Sequence, residues 1–246
     1  MKKSLLLTLL FLSTAILVPA TMMAQAKKVA LVAFYSDKKI GGTGLGSTTE
    51  ALINDPSFNL QPLVDKAYER FLEFTKDFPF EMMDYNEVVS NTEYREFRSG
   101  VLFDTSKGVN KVMGVQYARA KELVLAFGGK TLLISEDKQD QCRMTKIFPT
   151  ADGVMLVSMD YEFESRAMGF ATGIKANITI SLFDKTCNKV FRVNESAVSK
   201  SKVPAVKGIP VMDPKKIQPM CEDATNELFD DLKGRLAKIV KKSGKL

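Results

Sequence analysis

The spacing of apolar positions changes period several times along the chain, and each change predicts an element. Residues 27–35, KKVALVAFY, are nearly continuously apolar and rich in β-branched and aromatic side chains, the pattern of a buried central strand. Over 60–78, Leu63, Val64, Ala67, Phe71, Leu72 and Phe74 fall at helical spacing with Asp65, Lys66, Glu69, Arg70 and Glu73 between them. This is an amphipathic helix, and Pro79 stops it. A short strand over 80–83 follows, then a helix capped by Asn86 and running to about residue 97. Residues 99–110 read as loop, and 111–127 as a further helix closed by Gly128 and Gly129. A strand is predicted over 131–134. After it a helix begins near Ser135, with the hydroxyl as cap and Glu136 and Asp137 in the first turn.

In the second half the period becomes two. Met155, Val157, Met159, Tyr161 and Phe163 share one face, while Ser158, Asp160, Glu162 and Glu164 share the other. Residues 174–183 repeat the alternation, 184–189 turn, and 190–197 return, which predicts an antiparallel meander with one buried and one wet face. A Lys/Pro/Gly-rich linker spans 200–211. Asp213-Pro214 then opens the clearest helix, in which Ile217, Cys221, Ala224, Leu228, Leu232, Leu236 and Ile239 step by three or four. The expected architecture is an α/β (α+β) fold. It has a mixed sheet with a C-terminal antiparallel meander, helices packed on the sheet, and a long C-terminal amphipathic helix.

The N-terminus changes the setting. Lys2 and Lys3 precede an apolar run over 5–18 that is too short to span a bilayer, and Pro19 and Ala24-Gln25-Ala26 follow. This predicts a signal peptide over 1–26, cleaved after Ala26, and a single mature domain over 27–246 with an elaborated segment at about 86–130. No cysteine stands near the cleavage region to accept a lipid, so the expected product is exported, periplasmic or extracellular, and soluble. The formal charge of +6 falls to +4 without Lys2 and Lys3. That mild excess favours anionic envelope surfaces over nucleic acid. The terminal KKSGKL reads as a solvated basic end.

Candidate chemistry is narrowed mainly by what is missing. The chain has no histidine, which excludes Ser-His-Asp and Cys-His catalysis and every histidine-containing zinc site, and no tryptophan to serve as a sugar platform. Cys142, Cys187 and Cys221 have no metal-site spacing; two of them are able to pair in an oxidising compartment, and Cys221 sits in the apolar stripe of the last helix. Two candidate sites remain. The first is a binding loop of Gly41, Gly42, Thr43, Gly44, Gly46 and Ser47, which fails the dinucleotide and P-loop spacings. The second is the acidic strand face of Asp160, Glu162 and Glu164, where two carboxylates are able to divide acid and base roles if their surroundings separate their pKa values. Tyr68, Phe71, Phe74 and Tyr94 supply aromatics for a small-ligand carrier, or simply a core.

The pieces KKVALVAFY, TADGVMLVSMDYEF and KANITISLFDKTCNKVFR resemble the α/β domain of CsgG, the curli-secretion lipoprotein. The same domain type occurs in the N-terminal domain of TolB and in LpoB. Asp152 stands just before a strand, as in that group, and 184–189 matches its hairpin turn, with Cys187 where glycine is common. The resemblance implies a non-enzymatic envelope component that binds other proteins or assembles into rings. The expected function is therefore a non-catalytic periplasmic or cell-envelope binding or assembly protein. It has an envelope protein partner, no cofactor or metal, no nucleic acid, no transmembrane span in the mature chain, and room for a homo-oligomer. The alternatives are a carboxylate-using envelope enzyme and a small-ligand carrier.

Overall fold

The computed structural model describes residues 26–41, 55–100, 103–104, 111–112, 115–128, 135, 138–166, 170–206, 209–210 and 213–246. The expected signal peptide, the strand over 131–134 and most of the glycine loop lie outside them.

The fold is the expected mixed α/β sheet with helices against it. Its centre is β1 (Lys27–Gly41), whose residues Val29 to Ser36 are all buried. β1 runs parallel to β6 (Gly153–Arg166) on one edge. Its other edge takes β2 (Phe80–Met82) in parallel at one end and β5 (Val115–Arg119) antiparallel at the other. Two short strands, β3 (Phe103–Asp104) and β4 (Lys111–Val112), extend the sheet beyond β5. On the far side, β7 (Ala171–Asp184) and β8 (Lys189–Val198) complete the predicted antiparallel meander, with Ser158 opposite Thr179 and Asp160 opposite Asn177. Asp152 ties the two halves together. Its carboxylate accepts from the Lys28 amide at 2.9 Å, and its carbonyl accepts from the Lys185 amide at 3.1 Å.

One face of the sheet is covered by α1 (Gln61–Thr75) and α5 (Pro214–Ser243), whose predicted apolar stripes are buried except for Leu72 and Leu236, which pack half-buried against the core. Phe34 of β1 meets the rings of Tyr68 and Phe71, both at 5.6 Å, and Tyr161 of β6 shares a 2.8 Å hydrogen bond with Thr225 of α5. Asp213 caps α5 as expected, and Cys221 is a fully buried core residue. The terminal residues are not a solvated tail. α5 continues to Ser243, which is buried, and the Leu246 side chain lies beside Gly153.

The elaborated segment departs most from the expected elements. The helix expected to start at Asn86 is two short helices, α2 (Tyr85–Ser90) capped by Asp84 and α3 (Thr92–Arg95) capped by Asn91. Asn91 interrupts them because its extended backbone cannot continue α2. The helix expected over 111–127 is absent: β4 and β5 occupy its first half, and 120–128 run without regular structure. Here the open edge of β1 overrides helix propensity, because pairing satisfies edge N–H and C=O groups of β1 that a helix, bonded only within itself, would leave unpaired. The helix expected at Ser135 is α4 (Asp140–Ile147), which starts five residues later. The expected linker over 200–211 contains β9 (Val203–Val206), which pairs with the start of β7, and β10 (Ile209–Pro210).

Two buried side chains hold this segment to the sheet. Neither β2 nor β5 pairs with residues 30–34 of β1, and in that gap the Tyr94 hydroxyl donates to the Val32 carbonyl at 2.8 Å and accepts from the Val124 amide at 3.0 Å. Asp140, only 3% exposed, accepts from the Ser99 hydroxyl and from the Gly100 and Phe127 amides at 2.5, 2.9 and 3.0 Å. A carboxylate so deeply buried is tolerable because three donors replace its water.

Candidate functional site

The sheet face turned away from α5 is hydrophobic at one end and polar at the other. At the hydrophobic end, Gly128 lies against Leu156, Ser181 and Phe183, so the 123–128 segment and α4 form a third layer there. Cys142 of α4 pairs with Cys187 in the β7–β8 turn, Cα to Cα 5.0 Å. Cys187 has φ 67°, a left-handed conformation that glycine adopts without strain. Its thiol is what a glycine there would lack.

Beyond this cover the face stays polar. Ser158, Asp160 and Glu162 of β6 stand beside Thr179, Asn177 and Lys175 of β7, and Asn194 of β8 accepts from Thr179 at 2.9 Å. β1 adds to this face through an irregularity. Ser36 lies opposite Met159 and Ile40 opposite Tyr161, so four steps of β1 oppose two of β6 and the chain bulges at Asp37, Lys38 and Lys39. The bulge closes on a 2.5 Å bond from the Lys39 amide to the Asp37 carboxylate.

These surroundings set the electrostatics. Burial pushes the Asp37 carboxyl up to about 6; the Lys39 amide bond pulls it down and the charge of Asp160 raises it further. Burial also raises Asp160, against the pull of its 2.7 Å bond from Asn177, with Glu162 adding repulsion and Lys175 relief. Lys175 lies 3.4 Å from Glu162. Behind the carboxylates the rings of Tyr35, Tyr117 and Phe127 meet edge to face at 5.4 to 5.8 Å. Burial, followed by the Asp37 charge, raises the Tyr117 hydroxyl.

Asp160, Glu162 and Glu164 are all half-buried, and the first two are bonded to Asn177 and Lys175, so they are not the solvated row that alternation alone implies. Gly41 closes β1 opposite Glu162, whose Cγ a Cβ at Gly41 would meet at 3.4 Å, so the two candidate sites adjoin. Gly42, Thr43, Gly44, Gly46 and Ser47 lie outside the described residues. Tyr68, Phe71, Phe74 and Tyr94 are all core, at most 5% exposed. Sequence reasoning missed Asp37, Lys175 and Asn177. The signal for Asp37 was the polar Asp37-Lys38-Lys39 break before a buried Ile40, which is the mark of a bulge inside a long strand. Among the described residues, no three His, Cys, Asp or Glu side chains converge as a metal site, and no helix is long and apolar enough to cross a membrane.

No family model matches the chain, and no curated protein matches it. Three solved structures share part of its shape. The hypothetical protein CT253 from Chlamydia trachomatis is 7% identical with a TM-score of 0.38, over 87% of this chain and 99% of that one. A putative neuraminyllactose-binding hemagglutinin homolog from Helicobacter pylori is 11% identical with a TM-score of 0.33, over 90% of this chain and 91% of that one. Lipoprotein GNA1162 from Neisseria meningitidis is 9% identical with a TM-score of 0.30, over 87% and 99%. Likenesses at this level carry no argument about function, and they do not show the resemblance to CsgG, TolB or LpoB.

Proposed function

We propose that the protein is a non-catalytic binding or assembly component of the periplasm or cell envelope, exported by residues 1–26 and meeting its partner on the polar face of β1, β6 and β7. The observation that carries the reading is the Cys142–Cys187 pairing, because such bonds form and persist in oxidising compartments. The fixed polar groups of the face support recognition: Asn177 donates to Asp160 and Lys175 stands 3.4 Å from Glu162, so both carboxylates are held in place for a partner. The test is fractionation of cells expressing the full chain, with thiol labelling, followed by photo-crosslinking from Thr179 and Asn194. The expected result is an exported product, two of its three cysteines blocked, with an adduct from those positions and none from Glu69 on α1. A cytoplasmic product with every thiol free overturns it.

One observation favours a second reading, a carboxylate-using envelope enzyme. Burial pushes the Asp37 carboxyl up to about 6, toward the range in which a general acid or base works best, and the carboxyl of Asp160 stands near enough to raise it further. Unchanged crosslinking in Asp37→Asn, together with an envelope-hydrolase activity lost in that variant, would decide for it.

A further inference from the structure

We infer that the protein forms a symmetric dimer in which β8 pairs antiparallel with β8 of a second copy, about a twofold axis at Asn194, so that the two sheets become one. β8 is the long open edge of the sheet. Among the described residues it pairs with β7 and with no other strand. The two ends of the strand order are blunted in ways that discourage further pairing: β3 and β10 have two residues each, and β10 contains Pro210. β8 has ten residues and no proline. Its one irregularity falls at its start, and from there Phe191 to Val198 pair with Leu182 to Lys175 without a break.

The ladder fixes which backbone groups this edge presents. The Ser199 amide donates to the Ile174 carbonyl at 2.7 Å, one step beyond the Val198–Lys175 pair. Antiparallel pairs alternate between bonded and non-bonded, so Phe191, Val193, Glu195 and Ala197 turn their N–H and C=O toward β7. Arg192, Asn194 and Ser196 turn theirs away from it, and all three residues are exposed. Such a row is a template for another strand.

The side chains select a second copy of the same strand. In a twofold antiparallel pair the residue on the axis faces itself. Arg192 or Glu195 on the axis would oppose like charges, and Ser196 there would set Arg192 against Lys200. Val193 on the axis would confine the regular pairing to 191–195. Asn194 extends it to 191–197 and meets an uncharged twin. Arg192 then stands beside Ser196 of the second copy, Phe191 beside Ala197, and Val193 beside Glu195, whose charge Arg235 of α5 already holds at 2.7 Å. In this register the outward amides and carbonyls of Arg192, Asn194 and Ser196 all bond across the axis. The inference does not depend on what the polar face binds, because an adduct from Thr179 to a different protein is read separately from self-association.

The test is sedimentation of the purified exported chain over a range of concentrations. The expected result is a species of twice the chain's mass that grows in over the micromolar range, since one strand pair buries less area than a tight complex. Ser196→Pro removes an amide that β7 does not use, and Asn194→Lys puts two cations on the axis. Each is expected to weaken association at least about tenfold and to leave the urea midpoint unchanged at concentrations where the parent is monomeric. If Ser196→Pro fails to fold, Asn194→Lys decides. Oxidation of Asn194→Cys should trap a covalent dimer, and oxidation of Ser196→Cys should not, because Ser196 lies about 14 Å from its twin in this register. A chain that stays monomeric at the highest concentration reached overturns the proposal. So does a dimer that Asn194→Lys leaves intact, or one trapped at Ser196→Cys and not at Asn194→Cys. A monomer in which Asn194→Cys is trapped only by a different envelope protein assigns the edge to that protein and equally overturns it.

Discussion

Replacing Asp37 by Asn should stabilise the protein at neutral pH and leave it unchanged in acid. Asn keeps the oxygen that accepts from the Lys39 amide and removes the charge that burial penalises. In the folded chain the Asp37 carboxyl is raised from 3.8 to about 6. The folded state therefore holds its proton over a window, from about pH 4 to 6, in which the unfolded chain has released it. Stability falls as pH rises through that window, is lowest above 6, and is restored below 4. At about 1.4 kcal/mol for each pH unit, the ionised side chain costs about 3 kcal/mol, and partial contact with solvent trims this to about 2. Urea denaturation of both proteins from pH 3.5 to 8 reads the difference directly. Asp37→Asn should exceed the parent by about 2 kcal/mol at pH 7.5, with the gap closing between 6 and 4. A gap that stays constant with pH, or an Asn variant that is the weaker at pH 7.5, refutes the burial argument.

Other consequences are open to the same assay. Tyr94→Phe strips partners from the Val32 carbonyl and the Val124 amide, two buried groups, and should cost about 3 kcal/mol; a loss below about 1 kcal/mol would mean that neither bond matters. Gly153→Ala places a Cβ 2.6 Å from the Phe183 carbonyl oxygen, where only backbone can yield, so the thermal midpoint should drop by several degrees. Cys142→Ala with Cys187→Gly opens a 45-residue separation worth about 4 kcal/mol in loop entropy, offset by about 1 from relief of the left-handed cysteine, for a net loss of about 3. Reduction by dithiothreitol should destabilise the parent by a similar amount and leave that double variant unaffected.

What the sequence determined by itself is whatever depends on local period. The alternation at Met155, Val157, Met159 and Tyr161 has one interpretation, a strand with one face in the core, and the three- and four-residue steps of Ile217 to Ile239 have one interpretation, a buried helix stripe. The Asp213 cap was equally legible, since it needs only neighbours in the chain. Asp84 carried the same kind of signal, with Glu87 three residues on, yet Asn86 looked as suitable, and only the bonds from the Asn86 and Glu87 amides to Asp84 decided between them.

Tertiary structure decided everything that rests on a partner distant in the chain. Residues 115–119 are a strand because β1 offers an unpaired edge, a fact absent from their own composition. Cys142 pairs with Cys187 rather than Cys221 because α5 buries Cys221 on the opposite side of the sheet from the β7–β8 turn. Asp160 and Glu162 were visible as a row of carboxylates. That Asp160 meets Asn177 and Glu162 meets Lys175 follows from the register of the β6–β7 hairpin, and that burial lifts Asp37 to about 6 beside Asp160 follows from a bulge in β1 that brings together residues more than a hundred positions apart. Periodicity specifies which way a side chain points, and only the folded sheet specifies what it points at.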